Sequence, residues 1–364
     1  MGFAEVMRVL NVLLIIAGII FIHSKAIKNK IPRKAKVLLT VLAVLGIFYS
    51  LFRFLVPLRS VFPPSGEMKV ANVTRFYSYD QADERWQTSD GKREVPVKVW
   101  FPENEPKQKH PLLLFSHGAN GVNLSNESLY LELASRGYVV MSLDHPGHSF
   151  FTKLSDGRRI MYDRDYMKEL MNSQGSKNLK QTLEESQRWL SLRTADINAV
   201  IEQVKENKEA YPELEKANRE KLVLMGHSLG GSAVLQVGRE EASTLGVIAL
   251  ESPYLGDIID VEGETYKFVE KEYPHPVLHI YSEATKDFMG KVTTYDRNNE
   301  YLKNPPKGFR NLQLEGVGHL GLTDFRLTTP IICNALDGGL NKKDYNKVVE
   351  EINQACLEFL ESLE

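Results

Sequence analysis

Cysteine is almost absent: Cys333 and Cys356 are the only two in 364 residues. That excludes a disulfide scaffold, and their spacing fits neither a metal site nor a redox motif. Two buried thiols are expected instead. No glycine-rich phosphate loop and no His/Cys/Asp/Glu cluster with ligand spacing occurs, so no cofactor and no metal is expected. Net charge is −2, from 45 basic and 47 acidic side chains, which leaves no basic excess for nucleic acid. No internal repeat is visible, and nothing points to an oligomeric state. The 43% hydrophobic and 25% charged content is that of a globular protein, which excludes wholesale disorder.

Acid is missing from one end only. Residues 1–60 hold nine basic residues and a single acid, Glu5, a balance of +8. The remainder holds 36 basic and 46 acidic residues, a balance of −10. Two apolar runs occupy that basic end, at 9–22 and 37–52, the second free of charge. Flanking residues extend each toward the roughly 20 residues needed to cross a bilayer, with Arg8 and Arg53 reaching for head groups. Between them, 23–36 is rich in Lys and Arg and contains Ile31-Pro32, which breaks a helix. The expectation is a two-helix membrane hairpin over 1–60, with spans at about 6–23 and 37–56. Positive short loops stay in the cytoplasm, so the chain beyond the hairpin is expected on the extracytoplasmic side. A cleaved signal peptide fits less well: no basic region precedes the first run, no small-residue cleavage site follows it, and a second run does.

From about residue 70 strands and helices alternate. Buried strands are expected at 111–116, 138–143, 221–225, 247–250, 277–281 and 312–314, and a partly exposed one at 95–100. Helices are expected at 127–136, 192–204, 232–239 and about 342–362. Such alternation implies an α/β fold: a mostly parallel sheet flanked by helices. Residues 61–94 read as a linker and sheet-edge segment, and 95–364 as one domain. Within it, residues 150–190 are polar, break the alternation, and read as a cap insertion.

The sharpest motif is Gly226-His227-Ser228-Leu229-Gly230-Gly231, which follows an apolar strand and opens a helix. A strand turning sharply into a helix strains the central residue and exposes its hydroxyl, and flanking glycines make room for the turn. Ser228 is therefore the candidate nucleophile. In the α/β-hydrolase arrangement the order along the chain is Ser, acid, His. His319 lies on a Gly-rich loop after the last strand and is the candidate base. His117, His145 and His148 precede the nucleophile, and His275 and His279 flank or occupy a strand. His227 is expected to pack the turn. The acid is open between Glu251, at the end of the strand after the nucleophile helix, and Glu283 or Asp287, after the next strand. Backbone N–H groups of Leu229 and of Ala119, in the Gly118–Gly121 loop, are the candidate oxyanion hole.

Leu114-Phe115-Ser116-His117-Gly118, Leu133-Ala134-Ser135-Arg136-Gly137-Tyr138-Val139-Val140, Leu192-Arg193, the Ser228 motif, and Gly318-His319 with Asp324-Phe325 occur in this order. Together they resemble the plasma-type platelet-activating-factor acetylhydrolase (group VII phospholipase A2) family of α/β-hydrolases, over about residues 95–330. In that family an acid stands in an Ala-Leu-Asp context directly after the strand following the nucleophile helix. Ala249-Leu250-Glu251 holds that place here, so the resemblance implies Glu251, one methylene longer than Asp. It further implies a serine esterase that needs no metal and acts on phospholipids with a short or oxidised sn-2 chain. The apolar N-terminal segment is not part of the resemblance. Other readings of the same residues are a generalist carboxylesterase, acyltransferase or peptidase, and, from another class, a non-catalytic binding protein with a hydrolase fold.

Overall fold

The structure is a computed structural model and describes residues 3–24, 32–57, 61–81, 84–173, 177–206 and 210–363. An eight-stranded sheet forms the centre, in the order β1-β2-β4-β3-β7-β8-β11-β12. Its strands are β1 (Val70–Tyr79), β2 (Arg93–Pro102), β3 (Pro111–Ser116), β4 (Val139–Leu143), β7 (Asn218–His227), β8 (Thr244–Leu250), β11 (Val277–Tyr281) and β12 (Arg310–Gln313). β2 runs antiparallel to both β1 and β4, and the other pairings are parallel. Two small hairpins lie outside the sheet: β5 (Phe151–Lys153) with β6 (Arg159–Met161), and β9 (Ile258–Glu262) with β10 (Thr265–Phe268).

The parallel strands are apolar on both faces because helices cover both. Side chains alternate, so Leu112 and Leu114 of β3 face one layer and Leu113 and Phe115 the other. The first layer holds α5 (Leu179–Lys205) and α6 (Leu229–Glu240), through residues such as Ile197, Val200, Ala233 and Val234. The second holds α3 (Glu127–Ser135) and α11 (Tyr345–Glu361), through Leu129, Leu133, Val348, Ile352 and Phe359. Shorter helices fill the loops: α4 (Arg164–Ser173), α7 (Thr285–Phe288), α8 (Asp296–Lys303), α9 (Phe325–Thr328) and α10 (Pro330–Leu336).

Each expected strand is present, with ends shifted by a few residues, but the one expected partly exposed at 95–100 is buried, because β2 lies inside the sheet between β1 and β4. One difference, in the insertion, is larger. The helix expected from 192 begins at Leu179, capped by the Asn178 side chain, which accepts from the Gln181 N–H at 3.2 Å. Its early turns are polar outside but bury Leu183 and Trp189 inside, so the polar composition of 150–190 concealed a helical face. What is left of the insertion is the β5–β6 hairpin and α4. In the segment 61–94, β1 pairs with β2 along ten residues as an edge strand of the main sheet. Cys333 and Cys356 are free and buried, and burial pushes both thiols up to about 12.

At the N-terminal end lie α1 (Phe3–Ile22) and α2 (Arg33–Leu55). Among the described residues one helix, α2, is long and apolar enough to cross a membrane, with a mean hydropathy of 2.1 and no burial in its apolar window. α1 carries a shorter apolar stretch, Val12–Phe21. The two touch where Gly46 leaves room for Ile15, since a Cβ there would stand 3.3 Å from the Ile15 side chain. The basic connection expected between them includes residues 25–31, which lie outside the described residues.

Candidate active site

Three loops meet at the carboxyl edge of the sheet. The first is the turn from β7 into α6. Ser228 stands at φ 53° and ψ −126°, a backbone region that costs a non-glycine residue on the order of 1–3 kcal/mol. Its N–H is tied to the Leu250 carbonyl at 2.9 Å. Glycine is required on either side. A Cβ on Gly226 would come 2.7 Å from the Gly230 backbone, and one on Gly230 would collide with the Ser116 and His117 carbonyls.

The second loop follows β8. Glu251 is buried and again has positive φ, 46°. Its N–H donates to the Ile280 carbonyl at 2.7 Å, and its Oε2 accepts the Ser282 N–H at 2.9 Å. These bonds aim the remaining oxygen. The third loop follows β12 and carries His319, whose Nε2 lies 3.0 Å from Ser228 Oγ and whose Nδ1 lies 3.2 Å from Glu251 Oε1. A carboxylate only accepts, so a bond to Glu251 places the proton on Nδ1 and leaves Nε2 to accept from the serine hydroxyl. Burial pulls the His319 pKa down, but the Glu251 charge and contact, with Asp337 adding to them, raise it above the ordinary value.

Ser228, His319 and Glu251 are thus brought together. The other two candidate acids are not. Glu283 turns its Oε2 to the Gly316 N–H at 2.6 Å, and Asp287 is exposed on α7. The Gly118 loop packs directly on the nucleophile, where a Cβ on Gly118 would stand 3.2 Å from Ser228 Cβ. The N–H groups of Ala119 and Leu229 find no acceptor among the described residues. Asn120, beside Ala119, is the third non-glycine residue with positive φ among the described residues. All three such residues lie in loops of this site, and strain of this kind gathers where geometry serves function.

A family profile described as platelet-activating factor acetylhydrolase, isoform II, matches residues 78–364. The chain belongs to this family. Among curated relatives, the platelet-activating factor acetylhydrolase of Cavia porcellus is 27% identical over 282 residues, 74% of this chain and 61% of that protein. The Canis lupus familiaris enzyme of the same name is 24% identical, over 72% of this chain and 59% of its own length. The match therefore spans about three-fifths of the length of these relatives. Among solved structures, a ferulic acid esterase from Streptomyces cinnamoneus superposes with a TM-score of 0.61 at 18% identity, covering 83% of this chain and 92% of that one. That likeness establishes the α/β-hydrolase fold.

In this acetylhydrolase-family chain, several residues brace the site that the sequence reading did not single out for that role. His227 is buried, and its Nε2 contacts the His319 carbonyl at 3.1 Å, so it holds the loop of the candidate base as well as packing the turn. Asp337, at the end of α10, accepts the N–H groups of Leu320 and Gly321 at 3.0 and 2.9 Å, fixing the turn just after His319. A Cβ on Gly318 would collide with the Asp337 side chain, which gives that glycine a physical purpose. The insertion adds an aromatic and thioether rim. Phe150 is half exposed, donates its N–H to the Gly121 carbonyl at 3.0 Å and stacks on Tyr162, and Met167 meets the Asn120 amide.

Proposed function

We propose that this chain is a membrane-anchored serine esterase whose triad is Ser228, His319 and Glu251. The observation that carries the reading is the contact sequence from Ser228 Oγ through both nitrogens of His319 to Glu251, beside two unpaired N–H groups. His319 takes the hydroxyl proton as Ser228 Oγ bonds to the ester carbonyl carbon. The carbonyl oxygen becomes an oxyanion held by the Ala119 N–H and by the Leu229 N–H at the start of α6, where the helix dipole also favours negative charge. His319 then protonates the leaving alcohol, the carbon–oxygen bond breaks, and an acyl-serine remains. Water, activated by the same histidine, releases the acid and restores the serine. Glu251 holds the tautomer and balances the imidazolium.

The substrate class proposed is a phospholipid with a short or oxidised sn-2 acyl group; the curated relatives and the family are named as platelet-activating factor acetylhydrolases, which supports an acetyl ester among such substrates. The anchor is a hairpin of α1 and α2 over residues 1–60, with the basic connection in the cytoplasm and residues 95–364 outside. The test is a substrate panel: short-chain against long-chain phospholipids and a water-soluble p-nitrophenyl ester, each with parent and Ser228→Ala. The expected result is a parent that prefers the short-chain phospholipid, and a variant that loses hydrolysis of every substrate. A strong preference for simple soluble esters would replace the phospholipase reading with a generalist carboxylesterase. Protease protection of the C-terminal domain on intact cells would reverse the orientation.

A further inference from the structure

We propose that Arg193 is a positioning residue that aims and polarises the Ala119 N–H of the oxyanion hole; this rests on the reading of Ser228 as nucleophile. Arg193 lies on α5, fully buried. One of its terminal nitrogens donates to the His117 carbonyl at 2.5 Å, the other to the Gly118 carbonyl at 3.3 Å. The Gly118 oxygen also receives His117 Nδ1 at 2.6 Å and the Gly121 N–H at 3.1 Å. The Gly118 carbonyl and the Ala119 N–H belong to one planar trans peptide, so they point in opposite directions. Fixing the oxygen toward Arg193 therefore fixes the N–H toward the other side of the loop.

The charge matters as well as the direction. Among the described residues no carboxylate forms an ion pair with Arg193. Asp196, one turn along α5, is occupied by Arg93 at 2.7 and 2.8 Å, by His145 Nδ1 at 2.9 Å and by the Tyr79 hydroxyl at 2.8 Å. A buried cation without a paired anion is costly, and a purely packing role would be served by an apolar side chain. Its hydrogen bonds go to peptide carbonyls, and a cation on the carbonyl end of a peptide strengthens the donor at its N–H end. The neighbouring bonds set the register. His145 Nε2 contacts Ser116 Oγ at 2.9 Å, so Asp196 ties α5 to the residue just before His117 and holds Arg193 against the loop.

The test uses the full chain, Arg193→Lys and Arg193→Gln, a p-nitrophenyl ester, and a trifluoromethyl ketone whose serine adduct places an oxyanion in the hole. Losing one oxyanion donor costs about a hundredfold or more in kcat, so about a hundredfold is expected for Arg193→Gln and about tenfold for Arg193→Lys, with KM within about threefold. Ketone affinity should fall in step with kcat, a readout that a merely structural residue would not move. Where Arg193→Gln does not accumulate as folded protein, Arg193→Lys carries the test, since it keeps the charge and loses the forked donor. The proposal is overturned if kcat and ketone affinity stay within twofold, if KM alone changes, or if neither variant folds while the parent does. Hydrolysis surviving in Ser228→Ala would instead overturn the nucleophile reading. Ser228 dependence with unaffected Arg193 variants would remove only this proposal.

Discussion

Two serine–histidine–carboxylate chains run through this molecule. Ser228, His319 and Glu251 are joined by contacts of 3.0 and 3.2 Å, and Ser116, His145 and Asp196 by contacts of 2.9 and 2.9 Å. Spacing alone does not tell them apart; environment does. The His319 side chain is 32% exposed, and Ser228 sits on a strained elbow beside unpaired N–H groups. Ser116, His145 and Asp196 are fully buried, and Arg93 pairs with the acid. The electrostatics follow. Burial, helped by Arg193 and Arg93 and opposed by Asp196, lowers His145 to about 4, so it stays neutral. Burial pushes the Asp196 carboxyl up, but Arg93 and His145 outweigh it and hold it well below the ordinary range. His319 moves the opposite way, above its ordinary value. A catalytic triad needs an accessible hydroxyl and a base with room to become charged; the same three residue types, buried and paired with an arginine, become a clamp.

The comparison breaks first at the serines. Ser228→Ala should lower kcat by about ten-thousandfold or more, whereas Ser116→Ala should cost under about tenfold, by ester assay on both variants. The acids differ next. Glu251→Gln should lower kcat by about a thousandfold or more through the wrong histidine tautomer while leaving the melting temperature close to that of the parent. Asp196→Asn should act mainly on stability: it leaves Arg93 buried without its anion, a loss of about 3–5 kcal/mol read by denaturant unfolding, with a smaller fall in kcat through the Arg193 contacts. Glu251→Asp withdraws the carboxylate by one methylene and should fall between Glu251→Gln and the parent in kcat.

The smallest effect is in pH. In the proposed mechanism His319 acts in its neutral form, so kcat/KM should rise with pH through an ionisation above 6.5, and Glu251→Gln should move that ionisation down. The sign for stability is opposite. A histidine whose folded pKa is raised stabilises the fold below the unfolded value of 6.5, and that contribution is lost as pH rises through the folded one. Unfolding free energies measured across pH 5–9 check both the direction and the assignment.

Much of the fold was legible because its residues obey local rules. The strand at 111–116 and the one at 277–281 are short apolar runs bounded by turn residues, and the structure has them at those bounds. The Ser228 turn was legible because steric crowding dictates glycine at 226 and 230. The early turns of α5 were not, because a helix that buries Leu183 and Trp189 while exposing polar residues reads as a polar insertion. Asp337 and Arg193 were invisible as bracing groups. Each acts on backbone brought to it by folding, on Leu320 and Gly321 in one case and on His117 and Gly118 in the other, and although Leu192-Arg193 carries part of the resemblance, nothing local marks the contacts Arg193 makes.

The most direct measurement is the position of a covalent fluorophosphonate adduct, mapped by mass spectrometry on the full chain. The adduct is predicted on Ser228 and nowhere else, with Ser116 unlabelled and all labelling lost in Ser228→Ala. An adduct on another serine, or no labelling of a folded, unmodified chain, would contradict the account.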